Sequence, residues 1–484
     1  MTVVLALATS TFGQTSTGFN IVSTSGIAPP NTTTSPITID VKPFFSGTDI
    51  CSAINAAIAS AVAQNPSILS LTLDARGITK PSSSNLTCAS NPFHGFTQIT
   101  GRLLLGGVTI NTTVQWTMPI QYFWIEGTAM SNMSAAPGTV IKAATGFGCA
   151  GGDAIPVNVS SPVISGCPVV FISGSGFTNQ GYDSLGTGIR NLAIDCNSIS
   201  SCIGAGSFNT QEGGGIDSVA FLNNAKACVV FDANEVSHLG NATGVSNPFL
   251  RNMTCTFLTS ATSGIGIYVN AQDGPAEISN ITVSVPGAQS SNPIISTCLE
   301  FNGGRGTNVN YFHCEHAQTA EVIGDSTLVH DVTVNGLTAS ATEVGVLIKN
   351  TSDYDISVES VGLVTGPSTP PVAVTDNVNG VSTAGMTVAK YVIGAASIAS
   401  GGASFTTDGG GGLSINYVQP SKVEFISATL NQLTTGLTGF APTGSIAYCS
   451  DCQPNSGASV CSSGGTGALA VRQWPTTPIS WYCK

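Results

Sequence analysis

Charge is what this sequence has least of. Of 484 residues, 14 are Lys or Arg and 26 are Asp or Glu, 8% in all, and the formal net charge is -12. The pI lies near 4.6. So few basic side chains make no face able to neutralise a run of phosphates, and no nucleic acid partner is expected. No apolar run reaches the roughly 18 residues of a spanning helix, so no membrane span is expected either. Aromatics make up 7% and His numbers five, so any site built on rings draws on a handful of positions. Neither a metal nor an organic cofactor is expected.

What the sequence has in quantity is a short returning pattern. Between Gly188 and Leu363 it reads Ile189-Arg-Asn-Leu192-Ala-Ile194-Asp195-Cys196, then Ile216-Asp-Ser-Val219-Ala-Phe221, Leu250-Arg-Asn-Met253-Thr-Cys255, Ile278-Ser-Asn-Ile281-Thr-Val283, Val309-Asn-Tyr-Phe312-His-Cys314 and Val329-His-Asp-Val332-Thr-Val334, with a looser copy ending at Ile356-Ser-Val358-Glu. Counting from the first apolar residue, apolar side chains fall at +3 and +5, and small or polar ones at +4 and +6. That is strand alternation. The origins step by 27, 34, 28, 31, 20 and, with Asp353 opening the loose copy, 24 residues. A second apolar run lies between copies at 227–231, 264–268, 297–301 and 344–348. Two or three strands per turn, Gly/Asn/Ser turns and almost no helix signal predict a solenoid whose coils bury their inner faces only by stacking.

This repeat resembles the right-handed parallel β-helix of the pectate-lyase and polygalacturonase-like superfamily. The preceding stretch is similar to that family's N-terminal cap: a short helix at Asp49-Ile50-Cys51-Ser-Ala-Ile54-Asn-Ala-Ala-Ile58, then the strand Leu69-Ser-Leu71-Thr-Leu73-Asp74. The resemblance implies a secreted, carbohydrate-facing β-helix. It does not carry over a catalytic centre, because the Asn-Thr-Asp, Asp-Asp, Gly-His-Gly and Arg-Ile-Lys motifs of polygalacturonases are absent, and the calcium aspartates and catalytic arginine of pectate lyases have no match in the body.

In chain order the expected organisation is a signal-peptide remnant at 1–14, an extended Ser/Thr/Pro-rich leader at 15–36, the parallel β-helix at 37–365, irregular final coils or a β-containing linker at 366–438, and a Cys-rich β-hairpin module at 439–484. Thr48 or Asp49 can cap a helix carrying Ile50, Ile54, Ile58 and Val62 on one face, which would plug the open end of the core. Fourteen cysteines suit an oxidising compartment, so the chain is expected to be secreted or at a cell surface. Cys149 and Cys167 flank one excursion and can pair. Cys449, Cys452, Cys461 and Cys483 form either two disulfides or a zinc site, and disulfides are the preferred reading. The terminal module also offers a point through which the chain can form a homo-oligomer. Nine Asn-x-Ser/Thr sequons occur, but Asn252 and Asn280 share the +2 position of Asn191, where a turn role is the more natural one.

Chemistry is expected on the outward columns, where stacked coils repeat at roughly 4.8 Å. The +4 column reads Ala193, Ala220, Thr254, Thr282, His313, Thr333 and Ser357, and the +6 column Asp195, Leu222, Thr256, Ser284, Glu315, Asn335 and Glu359. His313, Glu315 and Glu359 are the candidate catalytic residues, with the two carboxylates two coils and roughly 9–10 Å apart, close to an inverting acid–base pair. Arg305, Asp195 and Asn335 are the candidate substrate-binding residues. Asp195 and Asp217 in adjacent coils could share a cation, but two carboxylates without further oxygen ligands make a poor calcium site. Cys314 and His316 are expected to point into the core. The plain alternative is a solvated surface with an occasional ionisable group. Two functions follow. One is a polysaccharide hydrolase or lyase working in a lateral groove, with polysaccharide as partner, and the other a non-catalytic surface, adhesin or appendage protein.

Overall fold

The computed structural model describes residues 37–377 apart from gaps, the longest at 173–183 and 233–246, and beyond them short strands with their flanks. The expected signal peptide and leader lie outside the described residues.

The repeat winds into a parallel β-helix. One face is a continuous parallel stack in which Gly188–Asp195, Gly215–Asn224, Phe249–Phe257, Glu277–Ser284, Asn308–Glu315 and Val329–Ser340 pair in succession. The second face is the stack of Cys202–Phe208, Ala227–Asp232, Ile265–Val269, Ile295–Phe301, Ala317–Ile323, Val344–Ile348 and Val372–Asp376. Four of them, Ala227–Asp232, Ile265–Val269, Ile295–Phe301 and Val344–Ile348, coincide with the second apolar runs of the sequence. Inward side chains from both faces, among them Ile189, Phe221, Val283, Leu299, Phe312 and Ile348, form one buried column along the axis. Coil stacking supplies what no coil has alone, a partner for its apolar face.

The coil turns at corners where a residue takes the left-handed conformation. At the +2 position the values are Asn191 φ 56°, Ser218 56°, Asn252 55°, Asn280 52°, Tyr311 55° and Gly336 77°. Asn tolerates this region better than other side chains with a Cβ, and Gly has no Cβ to strain. The turn role expected for Asn252 and Asn280 is therefore observed. Their amides also run along the stack, Asn280 Nδ2 donating to Asn252 Oδ1 at 2.8 Å and Asn252 Nδ2 to Asp217 Oδ1 at 2.9 Å.

The N-terminal end is closed by the helix Ile50–Gln64, whose Ile50, Ile54, Ala57 and Ile58 are buried. Asp49 caps it, accepting from Ser52 N at 3.0 Å, and Cys51–Cys88 ties it to the neighbouring strand Leu86–Cys88. The Cys149–Cys167 disulfide forms as expected. Cys228–Cys255 and Cys298–Cys314 cross the interior between the two faces. Cys449 pairs with Cys452 and Cys461 is also disulfide-bonded, so disulfides rather than zinc hold the C-terminal strands. After Val372–Asp376 the pairing becomes antiparallel, through Thr387–Ile393, Gly402–Thr407 and Leu413–Val418.

Candidate functional site

His313 and Glu315 stand on the outer wall because their strand neighbours are fixed inside. Phe312 is buried in the core and Cys314 is held by Cys298, so alternation turns residues 313 and 315 outward. His313 Nε2 lies 3.1 Å from Glu315 Oε1, and Nδ1 lies 2.9 Å from Thr338 Oγ1 of the next coil. With Glu315 ionised and the ring neutral, Nε2 carries the hydrogen and Nδ1 accepts from the threonine hydroxyl. Both side chains stay about a third exposed, at 35% and 37%. The flanking positions are hydroxyls: Thr282 pairs with His313 below, and Ser340 with Glu315 above.

Glu359 is not in this column. Val309 pairs with Val334 and Glu315 with Ser340, so the true copy in that coil is Val334-Asn-Gly-Leu337-Thr-Ala339. The segment Val329-His-Asp-Val332 belongs to the preceding corner, where Asp331 has φ 56° beside Gly306 at 71°. The next copy likewise begins at Val358, opposite Val334. Glu359 therefore stacks over Asn335 and Asn310, on the strand segment before the +2 bend, while Glu315 lies after it. Glu359 Oε1 accepts from Ser357 Oγ at 2.8 Å. The expected separation of 9–10 Å along one column does not apply, because the chain makes an extra corner between Arg305 and Val332. Sequence held the signal: Val309 to Val334 is 25 residues, closer to the other steps than 20.

The remaining candidates are dispersed. Asn335 is exposed in the column of Glu359. Asp195 is mostly buried; it accepts from Asn197 N and Asn223 Nδ2, and lies 3.3 Å from Lys142 Nζ. It pairs across to Leu222, whereas Asp217 pairs with Arg190 and Arg251, so the two aspartates share no site. Arg305 lies in the short strand Gly304–Arg305 opposite His330, and its side chain is outside the described residues. His316 corrects its expectation. It occupies a corner at φ 59° and is partly exposed, with Nδ1 3.3 Å from Asn292 O. Cys314 does point inward. Among the described residues no cluster of three His, Cys, Asp or Glu side chains can hold a metal ion.

A second outward group escaped the sequence reading. Glu126, Arg190, Asp217 and Arg251 stack in successive coils with alternating sign. Arg190 Nη2 donates to Glu126 Oε1 at 2.8 Å and Arg251 Nε to Asp217 Oδ2 at 3.1 Å. Desolvation pushes the Asp217 carboxyl up, but hydrogen bonds from Asn252, Ser218 and Arg251 outweigh it and hold it below the usual range. Trp124 and Phe249 lie nearly parallel beside this row, 5.9 Å between centroids, with Arg190 and Arg251 over their faces. Gly188 and Gly215 separate them in the stack, and a Cβ on Gly188 would fall 2.6 Å from the indole. The visible sign was Gly at the -1 position in two copies, between the aromatics of the copies on either side.

No protein-family model matches the chain, and no curated protein matches it. Solved structures are similar only at low levels, two of them as follows. One is PfbA, a surface adhesin of Streptococcus pneumoniae, at 12% identity over 79% of this chain and 99% of that one, TM-score 0.36. The other is ORF18 of Geobacillus virus E2, at 12% identity over 91% and 86%, TM-score 0.35. The fold rests on the strand pairing itself. Neither likeness bears on function.

Proposed function

We propose that this chain is an extracellular, disulfide-laced β-helix that binds polysaccharide along its outer wall without cleaving it. The observation that carries the reading is the register that puts Glu315 and Glu359 on opposite sides of a bend, so the second carboxylate of an acid–base pair is not delivered to Glu315. The wall around His313 and Glu315 is a shallow row of Thr and Ser hydroxyls, suited to hydroxyl-rich ligands, and the disulfides suit an oxidising compartment.

A second reading is favoured by one contact. The 3.1 Å His313–Glu315 pair can hold and pass a proton, which makes a hydrolase or lyase centred on His313 and Glu315 the competing proposal. Incubation with neutral and uronate polysaccharides separates the two, scoring sedimentation with the insoluble fraction, new reducing ends and absorbance from unsaturated products. Binding without turnover is the expected result. Turnover that Glu315→Gln abolishes would instead establish the enzyme.

A further inference from the structure

We propose that Tyr311 is an aromatic platform for a neutral sugar, completing the carbohydrate contact of the coil that carries His313 and Glu315. The inference rests on the polysaccharide-binding reading above and adds to it a residue and a ligand class.

The starting point is an outlier. At the +2 corner, successive coils carry Asn191, Ser218, Asn252, Asn280, Tyr311 and Gly336, all with positive φ. Five of these are residues that suit the position or are small. Tyr311 is bulky, sits at φ 55°, and interrupts the run of side-chain amides immediately after Asn280. A large side chain in this region is strained, and strain of this kind persists where the surroundings impose it and is concentrated at binding sites.

Packing does not account for the tyrosine. Tyr122 is the control within the same molecule: it also has positive φ, 46°, and its ring lies over Gly186 of the next coil. There the contact is tight, with Cδ1 2.6 Å from where a Gly186 Cβ would be, and the residue is 38% exposed. At Gly336 an added Cβ would sit at an ordinary 3.4 Å from Tyr311 Cδ1, so the ring does not press on that glycine, and Tyr311 remains 71% exposed. An exposed ring at a strained corner gains little from the fold, so its use lies outward.

The neighbours specify what it meets. His313 and Glu315 follow on the same strand, and Glu315 is within at most roughly 14 Å of Tyr311 along the backbone. The electron-rich face of the ring attracts the C–H face of a pyranose. The Glu315 carboxylate and the Thr338 oxygen accept from its hydroxyls, and the Thr282 and Ser340 hydroxyls can accept or donate. Glu315, on a chain of net charge -12, repels uronates, so the ligand class is a neutral hexose or pentose polymer.

The test is affinity together with stability. Wild type, Tyr311→Asn and Tyr311→Phe are titrated by calorimetry with cello-, xylo- and manno-oligosaccharides and with oligogalacturonate, and each is melted. Tyr311→Asn restores the corner residue of the other coils. It is expected to raise the thermal midpoint by roughly 1–3 °C while weakening neutral-glycan binding at least about tenfold. Tyr311→Phe keeps both ring and strain, and is expected to bind and melt like wild type. Oligogalacturonate is expected to bind none of the three. Wild type binding a neutral glycan that Tyr311→Asn binds equally well overturns the platform but leaves the polysaccharide reading standing, as does a lower midpoint for Tyr311→Asn with unchanged affinity. Wild type binding oligogalacturonate but no neutral glycan overturns the platform alone, and wild type binding none of these oligosaccharides overturns both.

Discussion

Glu321 is the residue whose energetics are most exposed to measurement. It lies on Ala317–Ile323 with its side chain inside the coil, fully buried, and neither carboxyl oxygen has a hydrogen-bond partner. Desolvation pushes its pKa from 4.5 up to about 8. The sign follows directly. Below about pH 4.5 the group is protonated whether the chain is folded or not. Between that value and about 8 the folded state keeps a proton that the unfolded state gives up, so stability falls as pH rises, by on the order of 3–5 kcal/mol in total. Glu321→Leu removes this dependence. Its melting temperature is expected to sit several degrees above wild type at pH 8, and the gap to narrow towards pH 4.5 as the wild-type carboxyl becomes protonated in both states. Parallel melting curves at the two pH values would show that water or a cation compensates the carboxylate.

At the scale of the coil, the corner is the element that fixes register. Asn252 supplies both the left-handed conformation and two links of the amide row, accepting from Asn280 and donating to Asp217. Asn252→Ala removes both hydrogen bonds and places a Cβ without compensation at φ 55°, and should destabilise by about 2–3 kcal/mol. Asn252→Gly keeps the turn and loses only the links, about 1 kcal/mol. Denaturant midpoints distinguish the two, and equal losses would mean that the conformation contributes nothing. The same corners explain what could be read in advance. The alternation of Ile278, Ile281 and Val283, the apolar second face and the capping helix were all visible, because burial imposes a period on the residues themselves. Two corners lying five residues apart, at Asp331 and Gly336, look alike in sequence, and only backbone pairing tells which of them continues the column of Tyr311. That ambiguity moved Glu359 away from Glu315. The arginine–aromatic row beside Trp124 was invisible for another reason: its members are separated by up to 127 residues and meet only through stacking.

Over the whole molecule, the stacked coils and the covalent links act on different states. Counting Val163–Phe171 and Trp116–Thr117, which pair below Cys202–Phe208, the second face has nine parallel strands among the described residues, at a spacing that makes it roughly 40 Å long. Each coil pairs only with the coils on either side of it, a few tens of residues away in sequence, so the stack grows coil by coil and leaves unpaired edges while incomplete. The disulfides restrict that incomplete ensemble. Cys228–Cys255 closes 27 residues and Cys298–Cys314 closes 16, each by loop-closure entropy worth about 3 kcal/mol to the folded state. All four sulfurs lie in the closed interior with no exposure. Reductant has no path to them while the coils stay stacked. Dithiothreitol alone is therefore expected to leave these four cysteines unalkylated, as read by peptide mass spectrometry, whereas dithiothreitol with moderate denaturant should label them together and lower the unfolding midpoint. Labelling of Cys228 or Cys298 in the native protein would mean that the column opens on the timescale of the reaction, and that the coil stack is held by its bridges more than by its core.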